Sequence, residues 1–84
     1  MRKEEIWSIP IQRIRAFFRA QPDVSMETDD CWICRSCRIL LEELPPQGEG
    51  MWALPRVRIC MEGREDDVLH IHRRFFCQFL SAGG

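Results

Sequence analysis

Apolar residues return at helical intervals over residues 66–80, DDVLHIHRRFFCQFL. At about 100° per residue, Val68, Ile71, Phe75, Phe76, Phe79 and Leu80 fall on one half of a helix, with Leu69 at its edge. The spacing recurs near the start of the chain, where Ile11, Ile14, Phe17 and Phe18 share a stripe and Arg13, Arg15 and Arg19 lie off it. Pro10 and Pro22 suit the two ends of this first helix, with Ser8 or Ile9 as its cap and Ile6 or Trp7 folded back as a staple. Glu65, Asp66 and Asp67 suit the exposed N–H groups that open the second helix.

Between the two helices the period changes to two. Val24 and Met26 alternate with Ser25 and Glu27, and Thr28, Asp29 and Asp30 read as a tight hairpin turn. Residues 31–42 give the longest expected strand, with Ile33, Cys37, Ile39 and Leu41 on one face and Trp32, Cys34, Ser36, Arg38, Leu40 and Glu42 on the other. Arg35 falls among the apolar set, which implies that the strand begins after it or that a bulge shifts the register there. Pro45, Pro46, Gly48 and Gly50 mark a loop. Val57, Ile59 and Met61 then alternate with Arg56, Arg58 and Cys60 in a third strand over 56–62, which Gly63 ends.

The expected fold class is therefore α+β: a helix, a three-stranded antiparallel sheet and a helix (α-β-β-β-α), with both helices on one sheet face. The 84 residues read as one small domain, with an N-terminal arm over 1–8, a loop over 45–54 and a tail over 81–84. The uncovered sheet face would carry Trp32, Arg38, Leu40, Arg56 and Arg58. Exposed aromatic, aliphatic and arginine side chains together are the mixture enriched at interfaces, so these five residues form the candidate binding surface.

Composition supports a folded chain, since 45% of residues are hydrophobic and 30% charged. The net charge of −1 creates no long-range field to gather nucleic acid or an anionic membrane. No apolar run approaches a membrane span, and the opening MRKEEIWSIP lacks the apolar core of a signal peptide, so a cytoplasmic protein is expected. In a reducing compartment the five cysteines, an odd number, would be thiols or metal ligands.

Cys31, Cys34 and Cys37 make two overlapping C-x-x-C spacings, which raise zinc and dithiol chemistry. Trp-Ile and Arg-Ser intervene, with no Gly or Pro to turn both sulfurs inward. On an extended strand, residues three apart point to opposite faces. No metal or other cofactor is therefore expected, and Cys31, Cys34, Cys37 and Cys60 are the ligand set if zinc is present, with Cys77, His70 or His72 as further donors. A redox pair at Cys31 and Cys34 would need a helix N-terminus to favour the thiolate, and this segment reads as strand. His70 and His72 are separated by about 200° on a helix and cannot share an ion. His72 falls on the apolar side, where burial or an interface would be its role. Cys77 lies opposite that side, as an exposed thiol. The paired carboxylates each suit a chain end, turn, strand end or helix start, and no acid–base or nucleophile set emerges.

In element order alone the chain resembles the double-stranded-RNA-binding domain, which implies phosphate contacts from the start of the second helix. That family places a basic, lysine-rich segment there. This chain has Glu65, Asp66 and Asp67, with Arg73 and Arg74 two turns later, and membership is not claimed. The terminal Gly83-Gly84 is similar to ubiquitin-like and sulfur-carrier tails, but those follow a β-grasp domain, and here Gly83 reads as the helix stop. The expectation is a non-enzymatic interaction or regulatory module that binds protein, including a second copy of itself, through the open sheet face or a strand edge. The alternatives are nucleic-acid binding by the same Arg/Trp face, which is not favoured, and a cysteine-based zinc or redox protein.

Overall fold

The computed structural model describes residues 1–82. In chain order the elements are β1 (Arg2–Trp7), α1 (Ile11–Ala20), β2 (Val24–Thr28), β3 (Cys31–Cys34), β4 (Cys37–Gln47), β5 (Leu54–Glu62) and α2 (Glu65–Ala82). A single 3₁₀ turn, Gly50–Trp52, lies between β4 and β5. The strands form one sheet in the order β1-β5-β4-β3-β2, with every neighbouring pair antiparallel. The fold is thus α+β, but the three-stranded α-β-β-β-α sheet expected from the pattern is corrected to five strands, and the element order parts from that of the double-stranded-RNA-binding domain.

Two physical causes produce the extra strands. Residues 1–8 are no arm, because Arg2–Trp7 pairs along β5 from Arg2↔Glu62 to Trp7↔Val57. Lys3, Glu5 and Trp7 are half-buried while Arg2, Glu4 and Ile6 are exposed, a period of two written mostly in charged residues. Residues 31–42 are no single strand, because the chain reverses at Arg35 and Ser36 and pairs Cys34 with Cys37. Arg35 takes φ 57°, the left-handed conformation that primed hairpin turns need at their first central residue.

This second turn is held from outside the sheet. Asp67 Oδ2 accepts from the Ser36 hydroxyl at 2.6 Å and from its backbone N–H at 3.3 Å, and the Arg64 N–H donates to Ser36 Oγ at 3.0 Å. The acidic start of α2 therefore clasps the β3–β4 turn, and Ser36 holds the Asp67 carboxyl below the usual carboxylate range. Gly63 makes the approach possible, since a Cβ there would stand 2.6 Å from the Ser36 carbonyl oxygen and 2.8 Å from Cys37 Cα.

The loop over 45–54 is also shorter than expected. β4 continues to Gln47 after a register shift beyond Leu44, and β5 opens at Leu54. Pro10, not Ser8 or Ile9, stands at the N-cap of α1 and gives it no side-chain cap. Trp7 does not fold back as a staple; its ring sets its edge against Phe75 and Phe76 of α2, at 5.2 and 5.8 Å.

Both helices cover the same sheet face. Ile14 and Phe18 of α1, Val68, Ile71, Phe75 and Phe79 of α2, and Ile39, Leu41, Val57, Ile59 and Met61 of the sheet form one buried cluster. The apolar stripe of α2 is narrower than its sequence suggests, because Leu69, Phe76 and Leu80 are exposed. The expected stop at Gly83 and the end of the 81–84 tail lie outside the described residues. No helix among the described residues is long and apolar enough to cross a membrane.

Candidate functional site

Of the five residues expected on the open face, Arg38, Leu40, Arg56 and Arg58 are there, brought abreast by Leu40↔Cys60, Glu42↔Arg58 and Leu44↔Arg56. Trp32 is not. It is 1% exposed in the core, where its Nε1 donates to the Asp29 carbonyl at 3.0 Å and its ring lies 6.1 Å from Phe18. The reason is the turn at Arg35 and Ser36: pairing Trp32 with Ile39 reverses the parity that an unbroken strand would carry from 32 to 38.

Three arginines of this face, Arg2, Arg38 and Arg58, are matched by carboxylates. Arg38 pairs with Glu27 at 3.1 Å, and Arg58 lies between Glu4 at 3.2 Å and Glu42. Arg2 pairs with Glu4 at 3.0 Å and approaches Glu62 at 3.7 Å. The face is therefore a lattice of opposite charges, with the apolar side chains of Leu40 and Ile6 exposed among them.

Toward one end of the sheet this character changes. At the tip of the β4–β5 hairpin, Met51 is 89% and Trp52 80% exposed, and Leu54 follows at the edge of the open face. Gly48 shapes the tip: its φ is +97°, and a Cβ would meet the Trp52 carbonyl oxygen at 2.8 Å. Farther down the hairpin lies an open cleft of about 650 Å³ lined by Glu43, Leu44, Pro45, Pro46, Ala53, Pro55 and Arg56. Three prolines stiffen these walls. Sequence reading placed this segment in a loop, and only the adjacency of Met51 and Trp52 to prolines and glycines signalled that their side chains would have nowhere to bury.

The cysteines do not assemble as the zinc set. Cys31 and Cys60 lie on the open face, either side of Leu40, whereas Cys34 and Cys37 oppose each other on the core face. Cys31 Sγ donates to Glu27 at 3.3 Å, and Arg2 Nε donates to Cys60 Sγ at 3.3 Å. Burial pushes the Cys37 thiol up to about 11 and also raises that of Cys34, so neither is activated. Cys77 is exposed on α2, and no disulfide joins any of the five.

The two histidines have separate surroundings. His72 bridges α2 to β1, with Nε2 2.7 Å from Glu5 Oε1 and its ring stacked 5.9 Å from Phe76. Burial raises the Glu5 carboxyl, but hydrogen bonds from His72 and Trp7 outweigh it and hold the group below its ordinary value. His70 faces a polar cluster in which Asp23, Cys34 and His70 each bring one donor atom within 4.8 Å of the others. Arg74 closes that cluster as a fork on Asp23, at 2.7 and 3.0 Å.

Compared with known proteins, the chain matches no family model and no curated sequence.

Proposed function

We propose that this protein is a small, non-enzymatic cytoplasmic interaction module that binds another protein through the hairpin end of its open sheet face. The observation that supports the reading is the exposure of Met51 and Trp52 side by side at the β4–β5 tip. A tryptophan removed from water releases on the order of 150–250 Å² of mostly apolar surface, and Trp is among the residues that dominate interface energies. Holding it out on a proline-walled turn costs little further entropy when a partner closes over it. Leu54 and the cleft beside Arg56 continue the contact onto the sheet, where paired charges supply a polar rim.

The charge lattice weighs against nucleic acid as the ligand. Phosphate binding draws on uncompensated Lys and Arg, and here Arg2, Arg38 and Arg58 already face glutamates. Strand edges are also a weaker route to a partner, because β1 alternates Arg, Lys and Glu, and the register of β2 shifts between Met26 and Thr28. Charged and bulged edges of this kind are how sheets avoid adding strands.

The test is a photoreactive residue at position 51, combined with sedimentation of the protein alone. The expected result is one cross-linked protein species, identified by mass as a second copy or a different chain, that disappears with Trp52→Ser. Identical cross-linking and sedimentation in the wild type and Trp52→Ser would remove the proposal.

A further inference from the structure

The polar cluster at the end of β3 has features of a metal site. Asp23 stands just ahead of β2, Cys34 ends β3 and His70 lies in the second turn of α2, so three distant segments converge on one point. Asp23 Oδ2 lies 3.8 Å from Cys34 Sγ and 3.4 Å from His70 Nε2. Donors arranged tetrahedrally at zinc bond lengths of 2.0–2.3 Å stand roughly 3.3–3.8 Å apart. Both spacings from Asp23 therefore fall within that range before any ion is placed there, and all three ligand atoms lie within 4.8 Å of one another.

We propose that Asp23, Cys34 and His70 bind one borderline divalent cation, Zn²⁺ being the representative, with Arg74 standing in for the ion when it is absent. A thiolate, an imidazole and a carboxylate together suit zinc or its neighbours, whereas magnesium and calcium require oxygen donors throughout. Three protein ligands leave a fourth position for water or another donor, the arrangement of an open rather than a closed zinc site.

Arg74 is the main competitor, and its contacts explain how the site stays assembled without metal. Its guanidinium forks onto Asp23, and its Nη2 also donates to Gln21 Oε1 at 2.7 Å. Nη1 also lies 3.2 Å from His70 Nε2, the same nitrogen that stands 3.4 Å from Asp23 Oδ2. The fit is imperfect, since Arg74 Nε is buried without an acceptor. The side chain is also 32% exposed, so the guanidinium has a route to solvent when an ion displaces it. On binding, the Cys34 S–H bond breaks, its proton passes to water or buffer, and sulfur bonds the metal with no change of oxidation state.

The experiment uses the full chain, reduced and stripped with chelator, titrated with Co²⁺ and then Zn²⁺. One ion per chain and a thiolate-to-cobalt charge-transfer band that Zn²⁺ abolishes are expected. A variant with Cys31→Ser, Cys60→Ser and Cys77→Ser keeps the band, and Cys34→Ser loses it. His70→Ala weakens binding by about a hundredfold or more, beyond the 10–100-fold typical for outer partners of a metal site. Arg74→Met tightens it several-fold, because the competing cation is gone. Cys34 is fully buried and its replacement risks the fold, so the half-exposed His70 decides if Cys34→Ser unfolds. The proposal is overturned if the wild type shows no band at saturating Co²⁺, or if His70→Ala binds as the wild type does.

Discussion

Single residues carry the sharpest contrasts between the pattern and the fold. Trp32 reads as an exposed aromatic only while residues 31–42 are taken as unbroken strand; one reversal at Arg35 and Ser36 moves it into the core, where its indole N–H finds the Asp29 carbonyl. The clue was Arg35 among apolar residues, a side chain that a buried face would not accept. Trp32→Ala should therefore destabilise the protein by about 3–5 kcal/mol, as large-to-small core changes do, without acting on a surface. Urea unfolding checks this, and a loss below about 1 kcal/mol would contradict the buried position. His72 is a similar case. Its place on the apolar side of α2 was legible, but its carboxylate partner was not, because Glu5 lies on a strand that hydrophobic periodicity does not reveal.

At the scale of elements, α1, β5 and α2 could be read from periodicity because their apolar residues mark buried faces; β2 showed only in its alternation, since Val24 is half-buried and Met26 exposed. Ile14 and Phe18, Val57 and Ile59, and Val68, Ile71 and Phe75 are all buried. β1 could not, since Lys3 and Glu5 occupy its inner positions and its stability comes from the ladder with β5. The candidate surface was half legible: Arg38, Leu40, Arg56 and Arg58 follow from parity, while the outward Met51 and Trp52 depend on a turn whose shape no period encodes. The joint between elements is itself testable. Gly63→Ala would press a Cβ against the Ser36 and Cys37 backbone, neither of which can rotate away, and should cost about 1–3 kcal/mol or more. A melting temperature within error of wild type would mean that α2 does not press on the β3–β4 turn.

For the whole molecule, several links between distant segments are carboxylates, and this gives stability a direction in pH. Glu5, tied to His72, and Asp67, tied to Ser36, both titrate below their ordinary values in the folded chain. A depressed carboxylate contributes its stabilisation above the unfolded pKa, roughly 4, and loses it as pH falls through the lower folded value. Urea midpoints should therefore drop between about pH 5 and pH 3, and Glu5→Gln should flatten that drop. An unchanged profile in Glu5→Gln would show that the His72 contact carries no stability. The strand order has a further consequence for synthesis. β1 precedes the other described strands in the chain, but its hydrogen-bonding partner β5 is the last of them to emerge, after β2, β3 and β4. The nascent chain must hold Arg2–Trp7 unpaired until β5 has emerged, and the charges of that strand keep such a waiting segment dissolved.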